Sequence, residues 1–143
     1  METKEIGELF MQGIDCSQVV AGEMAEVLSM DKSLLRKMAS CFGGGMMCGE
    51  TCGAVTGALM AIGLKYGHDK EGDSETKALM QEKVNAFYAK YHEKYESTIC
   101  KELLGHDISK PGEMEEVLKE GTMFTLCPCV VNYVIEILEK DIL

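Results

Sequence analysis

Hydrophobic side chains recur along most of the chain at the three- and four-residue spacing of an amphipathic helix, and no useful length alternates with the period of a strand. Polar or glycine-rich stretches, such as GHDKEGDS and FGGGMM, separate these segments. The pattern predicts an all-α fold, a compact multi-helix bundle with a glycine-rich loop between two of its helices. The predicted helices cover about residues 16–28, 32–40, 51–66, 74–95, 98–104, 112–119 and 128–143.

Four of the seven cysteines fall in, or just before, the first turn of a predicted helix: Cys16, Cys52, Cys100 and Cys127. The start signals beside them are Asp15 with Gln18 three residues later, Thr51, Thr98 and Pro128. Unpaired N–H groups and the helix dipole favour negative charge there, so we expect a lowered thiol pKa and more thiolate at neutral pH. Four such starts that converge would form a redox or metal site. Cysteines that do not converge are small apolar fillers of the core.

Length and composition indicate one domain over residues 1–143, since 46% of the residues are hydrophobic and 27% are charged. The net charge of −10 argues against binding to nucleic acid or to an anionic membrane surface. The N-terminal METKEIGELF lacks signal-peptide features, and we expect no run to approach the roughly twenty apolar residues of a membrane span, so we expect a cytoplasmic protein. In that reducing compartment, seven cysteines indicate metal ligands or working thiols rather than a disulfide framework.

The glycine run Gly43, Gly44 and Gly45 lacks the lysine of a phosphate-binding loop. We expect it to form a tight turn and, together with Gly53, to let backbone N–H groups approach a cluster or a small ligand. The chain has neither a C-x-x-C pair nor an H-E-x-x-H helix. Three further cysteines carry less weight. Cys48, four residues before Cys52, and Cys41, at the end of the preceding predicted helix, could reach the same site, whereas Cys129 is expected nearer solvent.

Several motifs taken together resemble one known family. They are D-C-S-Q, F-G-G-G-M, C-G-A-V-T-G-A-L, C-K-E-L-L-G-H-D and the closing C-P. Over about residues 10–138 the chain resembles the C-GCAxxG-C-C family, small bacterial and archaeal proteins described as redox-active. The resemblance places the family cysteines at the four positions that helix starts single out. Its central block matches Gly53, Ala54 and Gly57, although this chain has C-G-A where the family name has G-C-A.

The resemblance implies a redox function, and related domains beside the haem domains of split-Soret cytochromes suggest electron transfer through an iron–sulfur cluster. We therefore expect a Cys-ligated metal centre, an iron–sulfur cluster held by the four cysteines, that serves an unidentified redox partner protein. Two alternatives stay open. One is a metal-free thiol–disulfide oxidoreductase or shuttle in which the same four thiols are catalytic, and the other is a structural zinc site in an interaction module. The methionine-rich composition also allows a homodimer.

Overall fold

The computed structural model describes every residue from Met1 to Leu143. It contains nine α-helices and no β-strand, apart from one isolated antiparallel bridge between Thr51 and Ile99. The predicted all-α fold is confirmed. The helices are α1 (Thr3–Met11), α2 (Cys16–Glu23), α3 (Lys32–Ala39), α4 (Gly53–Tyr66), α5 (Ser74–Tyr91), α6 (Cys100–Leu104), α7 (Glu113–Glu120), α8 (Thr122–Thr125) and α9 (Cys127–Ile137), and a π-helical turn (Leu138–Ile142) continues α9.

Helix α4 lies at the centre of the bundle and packs against α2, α5 and α9. It buries mostly small residues: Gly53, Ala54, Val55, Gly57, Ala58, Ala61 and Ile62. Short side chains let a neighbouring helix come close. A Cβ atom at Gly57 would lie only 2.9 Å from the Ser17 carbonyl oxygen of α2. The first turns of α2 and α4 are therefore held side by side.

Larger side chains of α5 and α9 fill the rest of the main core. Phe87 and Tyr91 of α5 are fully buried, and the Tyr91 hydroxyl donates to the Ser97 carbonyl oxygen at 2.8 Å. Helix α9 contributes an aliphatic face that includes Val134 and Ile135. Burying one such aliphatic or aromatic side chain stabilises a fold by about 1.5–3 kcal/mol. These contacts make the bundle a rigid support for the helix starts.

Helix α2 is shorter than the predicted segment 16–28. It begins at Cys16 as predicted, with Asp15 as N-cap and the Gln18 side chain completing the capping box. It ends at Glu23, because the chain turns back there to place α3 against α2. Ser29 takes a positive φ of 54° in this reversal, and Val27, an apolar residue inside the predicted segment, is exposed. A turn built without glycine or proline leaves little signal in the hydrophobic pattern.

The C-terminal helical stretch Thr122–Ile142 has a mean hydropathy of 1.3 and meets the length and composition of a membrane-spanning helix. We expected no segment to approach the length and composition of a membrane span, and for this stretch that expectation was wrong. The same stretch supplies buried side chains to the core, among them Val130, Val131 and Leu138. Core helices pass the same test, so the finding is weak evidence for a membrane span.

A smaller layer of helices, α6 to α8, has a core cluster of its own made by Cys100, Leu104 and Val117. His106 joins the loop after α6 to α7, with Nδ1 2.7 Å from Glu113 Oε2 and Nε2 2.9 Å from Glu120 Oε1. Hydrogen bonds that the His106 ring donates to the Glu120 and Glu113 carboxylates raise the His106 pKa above its ordinary value. This layer supplies one wall of the cavity described next.

Candidate functional site

The four cysteines predicted at helix starts line a single cavity of about 100 Å³. Cys16, Cys100 and Cys127 are the first residues of α2, α6 and α9, and Cys52 is the N-cap of α4. Cys52 and Cys100 are buried, whereas Cys16 and Cys127 are half-buried. The cavity wall also contains Phe10, Ile14, Asp15, Gly44, Gly53, Leu103, Leu104, Ile108, Met123, Leu126, Val130 and Val131. The structure thus brings together all four predicted thiols in a mostly apolar enclosure.

Backbone pairing fixes the positions of Cys52 and Cys100. The Cys52 N–H donates to the Thr98 carbonyl oxygen at 2.7 Å, and the Cys100 N–H donates to the Glu50 carbonyl oxygen at 2.6 Å. These two hydrogen bonds flank the antiparallel bridge between Thr51 and Ile99. They hold the segments before α4 and α6 side by side in opposite directions. Two helices far apart in sequence therefore start at the same place.

The start of α2 is held by its own polar contacts. The Ser17 hydroxyl, fully buried, donates to the Ala39 carbonyl oxygen at the end of α3 at 2.8 Å. The Asp15 N–H donates to Gln18 Oε1 at 2.9 Å, which closes the capping box. Cys16 lies between these two anchored residues, so its backbone is held in place beside the cavity.

The four glycines predicted to bind a cofactor divide into two groups. Gly44 and Gly53 line the cavity. Gly43 instead lies against Asp15, whose Cβ would be 2.5 Å from an added Cβ, and Gly45 lies against the Glu50 backbone and the Cys100 side chain. Gly43 and Gly45 therefore shape the site through close packing and do not line it.

The loop before α4 has four consecutive residues in the left-handed region. Gly44, Gly45, Met46 and Met47 have φ values of 61°, 63°, 60° and 59°. Glycine takes this conformation freely, but each methionine there costs about 1–2 kcal/mol. Backbone strain of this kind is common at functional sites. The predicted tight turn is therefore a short left-handed helical turn, and both methionines are exposed.

Burial raises the pKa of all four cavity thiols, which corrects our expectation of lowered values. Burial raises the pKa of Cys100 to about 11 and that of Cys127 to about 12, and it raises the pKa of Cys52 further. N–H groups of Gly44, Ser17 and Gly53 favour the Cys16 thiolate, but they do not outweigh burial. Helix starts can be located from sequence, whereas the loss of water around a sulfur depends on the whole fold.

We predict that the reduced, metal-free protein alkylates slowly at its cavity cysteines. An ordinary thiol pKa of 9.0 and a Cys100 pKa of about 11 imply about 100-fold less thiolate at pH 7 for Cys100. Mass spectrometry of alkylated peptides across a pH series gives each apparent pKa. Cys41 and Cys48, which are exposed, serve as internal references and should react first. An apparent pKa below the ordinary value at any cavity cysteine would contradict the dominance of burial.

The other three cysteines do not line the cavity. Cys41 and Cys48 are exposed, and the Cys48 sulfur donates to the Gly45 carbonyl oxygen at 3.4 Å. Cys129 is half-buried, and its sulfur donates to the Thr125 carbonyl oxygen at 3.2 Å. The site role that spacing left open for Cys41 and Cys48 is therefore not seen in the structure.

Asp15 is the one charged residue that lines the cavity, and sequence reasoning assigned it only a capping role. Burial raises the pKa of its carboxyl, and its charge raises the pKa of the adjacent Cys16. Its position directly before Cys16 was the one sequence signal that could have indicated Asp15 as a cavity residue. The apolar wall residues Ile108 and Met123 carry no comparable signal, because they come from loops and short helices distant in sequence.

The donor set of the cavity is soft, since four thiols face it and one carboxylate accompanies them. Soft thiolate ligands select zinc, monovalent copper and iron–sulfur clusters. No three or more His, Cys, Asp and Glu side chains in the structure are already arranged to hold a metal ion. The residue types fit a metal group, and binding would require the cysteine side chains to turn toward one centre.

A helical bundle in which four cysteine-bearing helix starts converge on one cavity defines a small protein with a cysteine centre. The chain belongs to the family described as "Putative redox-active protein (C_GCAxxG_C_C)", whose model matches residues 14–140. The match spans all four cavity cysteines, so the resemblance seen in the sequence is confirmed. A redox-active protein, the general part of our functional prediction, agrees with that description. Searches among curated proteins and solved structures gave no match.

Proposed function

We propose that this protein transfers electrons through an iron–sulfur cluster held by Cys16, Cys52, Cys100 and Cys127. The observation that supports this most is the convergence of four cysteine-bearing helix starts on one cavity of about 100 Å³. Iron–sulfur clusters are commonly held by four cysteine thiolates, and their potentials depend on hydrogen bonds to sulfur and on exposure to solvent. We also propose a cytoplasmic location, since a reducing compartment keeps these thiols available.

Backbone N–H groups around the cavity are suited to an anionic sulfur centre. Those of Gly44, Ser17 and Gly53 favour the Cys16 thiolate, and that of Ala54 favours the Cys52 thiolate. Each helix start adds a partial positive charge near the sulfurs. Burial alone keeps the thiols protonated, and a cationic metal group would compensate for the charge of the thiolates that it binds. The same burial that raises the thiol pKa would then exclude water from the centre.

A thiol–disulfide centre is the second candidate, because four free thiols line one cavity. The raised pKa values keep these thiols neutral at pH 7, so attack on a partner's disulfide would first require one of them to lose its proton. In this reaction two thiols would lose two protons and two electrons and form one S–S bond, and the redox partner would accept the electrons. Asp15, the charged group in the wall, would accept one of the two protons, and the other would pass to water. A structural zinc site uses the same donors and stays the third alternative.

Anaerobic purification, followed by iron, zinc and sulfide analysis and an absorption spectrum, separates these candidates. We expect a brown protein with iron and acid-labile sulfide in equal amounts and with visible absorption that dithionite bleaches. A colourless protein with one zinc per chain supports the structural-zinc alternative. A colourless, metal-free protein that gains a disulfide among the four cavity cysteines supports the thiol–disulfide alternative. Either colourless result after iron–sulfide reconstitution contradicts the proposed cluster.

A further inference from the structure

A cationic groove lies along α3, and no acidic side chain lines it. Its basic residues are Lys32, Arg36 and Lys37, and its other lining residues are Ile14, Gln18, Ser33 and Ser40. This composition is unusual in a chain of net charge −10, and Arg36 is its single arginine. We call these seven residues the α3 groove.

The Arg36 guanidinium has no acceptor within the protein. Its Nε is buried without a hydrogen-bond partner, and the ion pairs of the structure involve Lys90, Lys101, Lys119 and His106 instead. The side chain lies against Gly22 of α2, where an added Cβ would be 3.1 Å from Nε. Because Nε is buried, a carboxylate or phosphate from outside would bind the two terminal nitrogens of this guanidinium, which also have no partner within the protein.

The α3 groove is connected directly to the start of α2. Gln18 Nε2 donates to the Arg36 carbonyl oxygen at 3.1 Å, while Gln18 Oε1 accepts the Asp15 N–H at 2.9 Å. Ile14 lines both the groove and the cysteine cavity. A molecule bound in the groove therefore lies next to the helix turn that carries Cys16, and two hydrogen bonds link its site to that turn.

We propose that the α3 groove is the docking surface for an acidic patch on the protein that exchanges electrons with the cysteine centre. This inference rests on the proposed redox function for the partner's role, but not for the binding itself. The groove is open to solvent and its lysines are exposed, whereas small-molecule sites usually enclose most of their ligand. Its form therefore favours a protein surface over a free anion.

The chain's overall negative charge does not prevent this docking. At an ionic strength of 0.15 M charges are screened beyond about 8 Å, so the local groove decides which surface binds. Acidic residues Glu5, Glu8 and Glu23 line a neighbouring depression, which shares Lys32 and Arg36 with the α3 groove. That depression would suit a basic partner, which makes a basic partner the main rival in the test.

The test uses the full-length, reduced, metal-free protein labelled with ¹⁵N, and three probes: hexaglutamate, hexalysine and inorganic phosphate. We expect hexaglutamate to shift the amide signals of α3 and of Gln18, with weaker binding at higher salt. A triple variant, Lys32→Gln, Arg36→Gln and Lys37→Gln, should weaken that binding at least 10-fold. Arg36→Lys keeps the charge but removes the planar fork, so it should weaken binding by a smaller factor.

The matched control also removes three positive charges, but away from the groove. It is the triple variant Lys70→Gln, Lys77→Gln and Lys140→Gln, at three exposed lysines. It should leave hexaglutamate binding within about twofold, and melting curves show whether each variant is folded. Equal weakening by both triple variants, or no shift on α3, would overturn the docking surface. Tighter binding of hexalysine, or phosphate binding as tight as hexaglutamate, would also overturn it. Since no metal is involved, failure of the cluster proposal leaves this result unchanged.

Discussion

Cys52→Ser should remove most of the iron that anaerobic reconstitution places in the protein, while Cys41→Ser should keep it. Cys52 caps α4 and lines the cavity, and a serine oxygen is a poor ligand for a soft metal and cannot form a disulfide. Cys41 is exposed and lies outside the cavity, which makes it a matched control. Iron and sulfide analysis of the two variants, prepared in parallel, measures the difference.

Melting curves of the same variants give an independent readout. A ligand that binds only the folded state stabilises it by about 2.7 kcal/mol at one hundred times its dissociation constant. Reconstituted wild-type and Cys41→Ser proteins should therefore melt higher than their apo forms, and Cys52→Ser should lose most of that gap. If the protein works through a disulfide, oxidation should raise the melting temperature of the wild-type and Cys41→Ser proteins, and Cys52→Ser should lose most of that increase. Similar losses in both variants would mean that the cavity does not hold the working cysteines.

Burial of the thiols also determines the pH range in which the reduced sulfurs are charged and repel one another. Each cavity thiol has a folded-state pKa above its ordinary value of 9.0, so its stabilising contribution is full below about pH 9. That contribution is lost as the pH rises toward the folded-state values, such as about 11 for Cys100. At neutral pH the reduced protein contains neutral thiols, and repulsion between thiolates does not destabilise it there.

The sequence located the cavity cysteines best where a local signal marked the start of a helix. Asp15 with Gln18 and Pro128 identify the starts of α2 and α9, and the cysteines beside them follow directly. Convergence of those starts could only be inferred, because it depends on how the helices pack. The pairing that aligns Cys52 with Cys100 joins segments 48 residues apart and has no local signature.

Properties that depend on tertiary surroundings were beyond sequence reasoning. The sign of the pKa shift at Cys100 depends on loss of water, which composition does not reveal. The end of α2 at Glu23 depends on the reversal that seats α3, and the unpaired Arg36 results from that same packing. Gly43 was predicted to approach a cofactor, yet its role is to admit the Asp15 side chain.

Gly53→Ala should destabilise the protein and disturb the cysteine site together. A Cβ at Gly53 would collide with Cys16 Sγ and would lie 3.0 Å from the Phe42 carbonyl oxygen and 3.1 Å from the Ser17 nitrogen. Two of these neighbours are backbone atoms, in α2 and in the loop after α3, so they cannot move as freely as a side chain. Overpacking of this kind costs about 1–3 kcal/mol, which denaturant unfolding would measure.

Gly63→Ala, in the same helix, is the matched control, because an added Cβ there meets nothing within 4 Å. Alanine is the better helix former, so this variant should be stabilised by about 0.5–1 kcal/mol. Gly53→Ala should in addition displace the Cys16 sulfur and lower the iron bound after reconstitution, which Gly63→Ala should not do. If the two variants unfold at the same denaturant concentration, α2 and α4 do not meet at Gly53 as described, and the placement of Cys16 beside Cys52 is wrong.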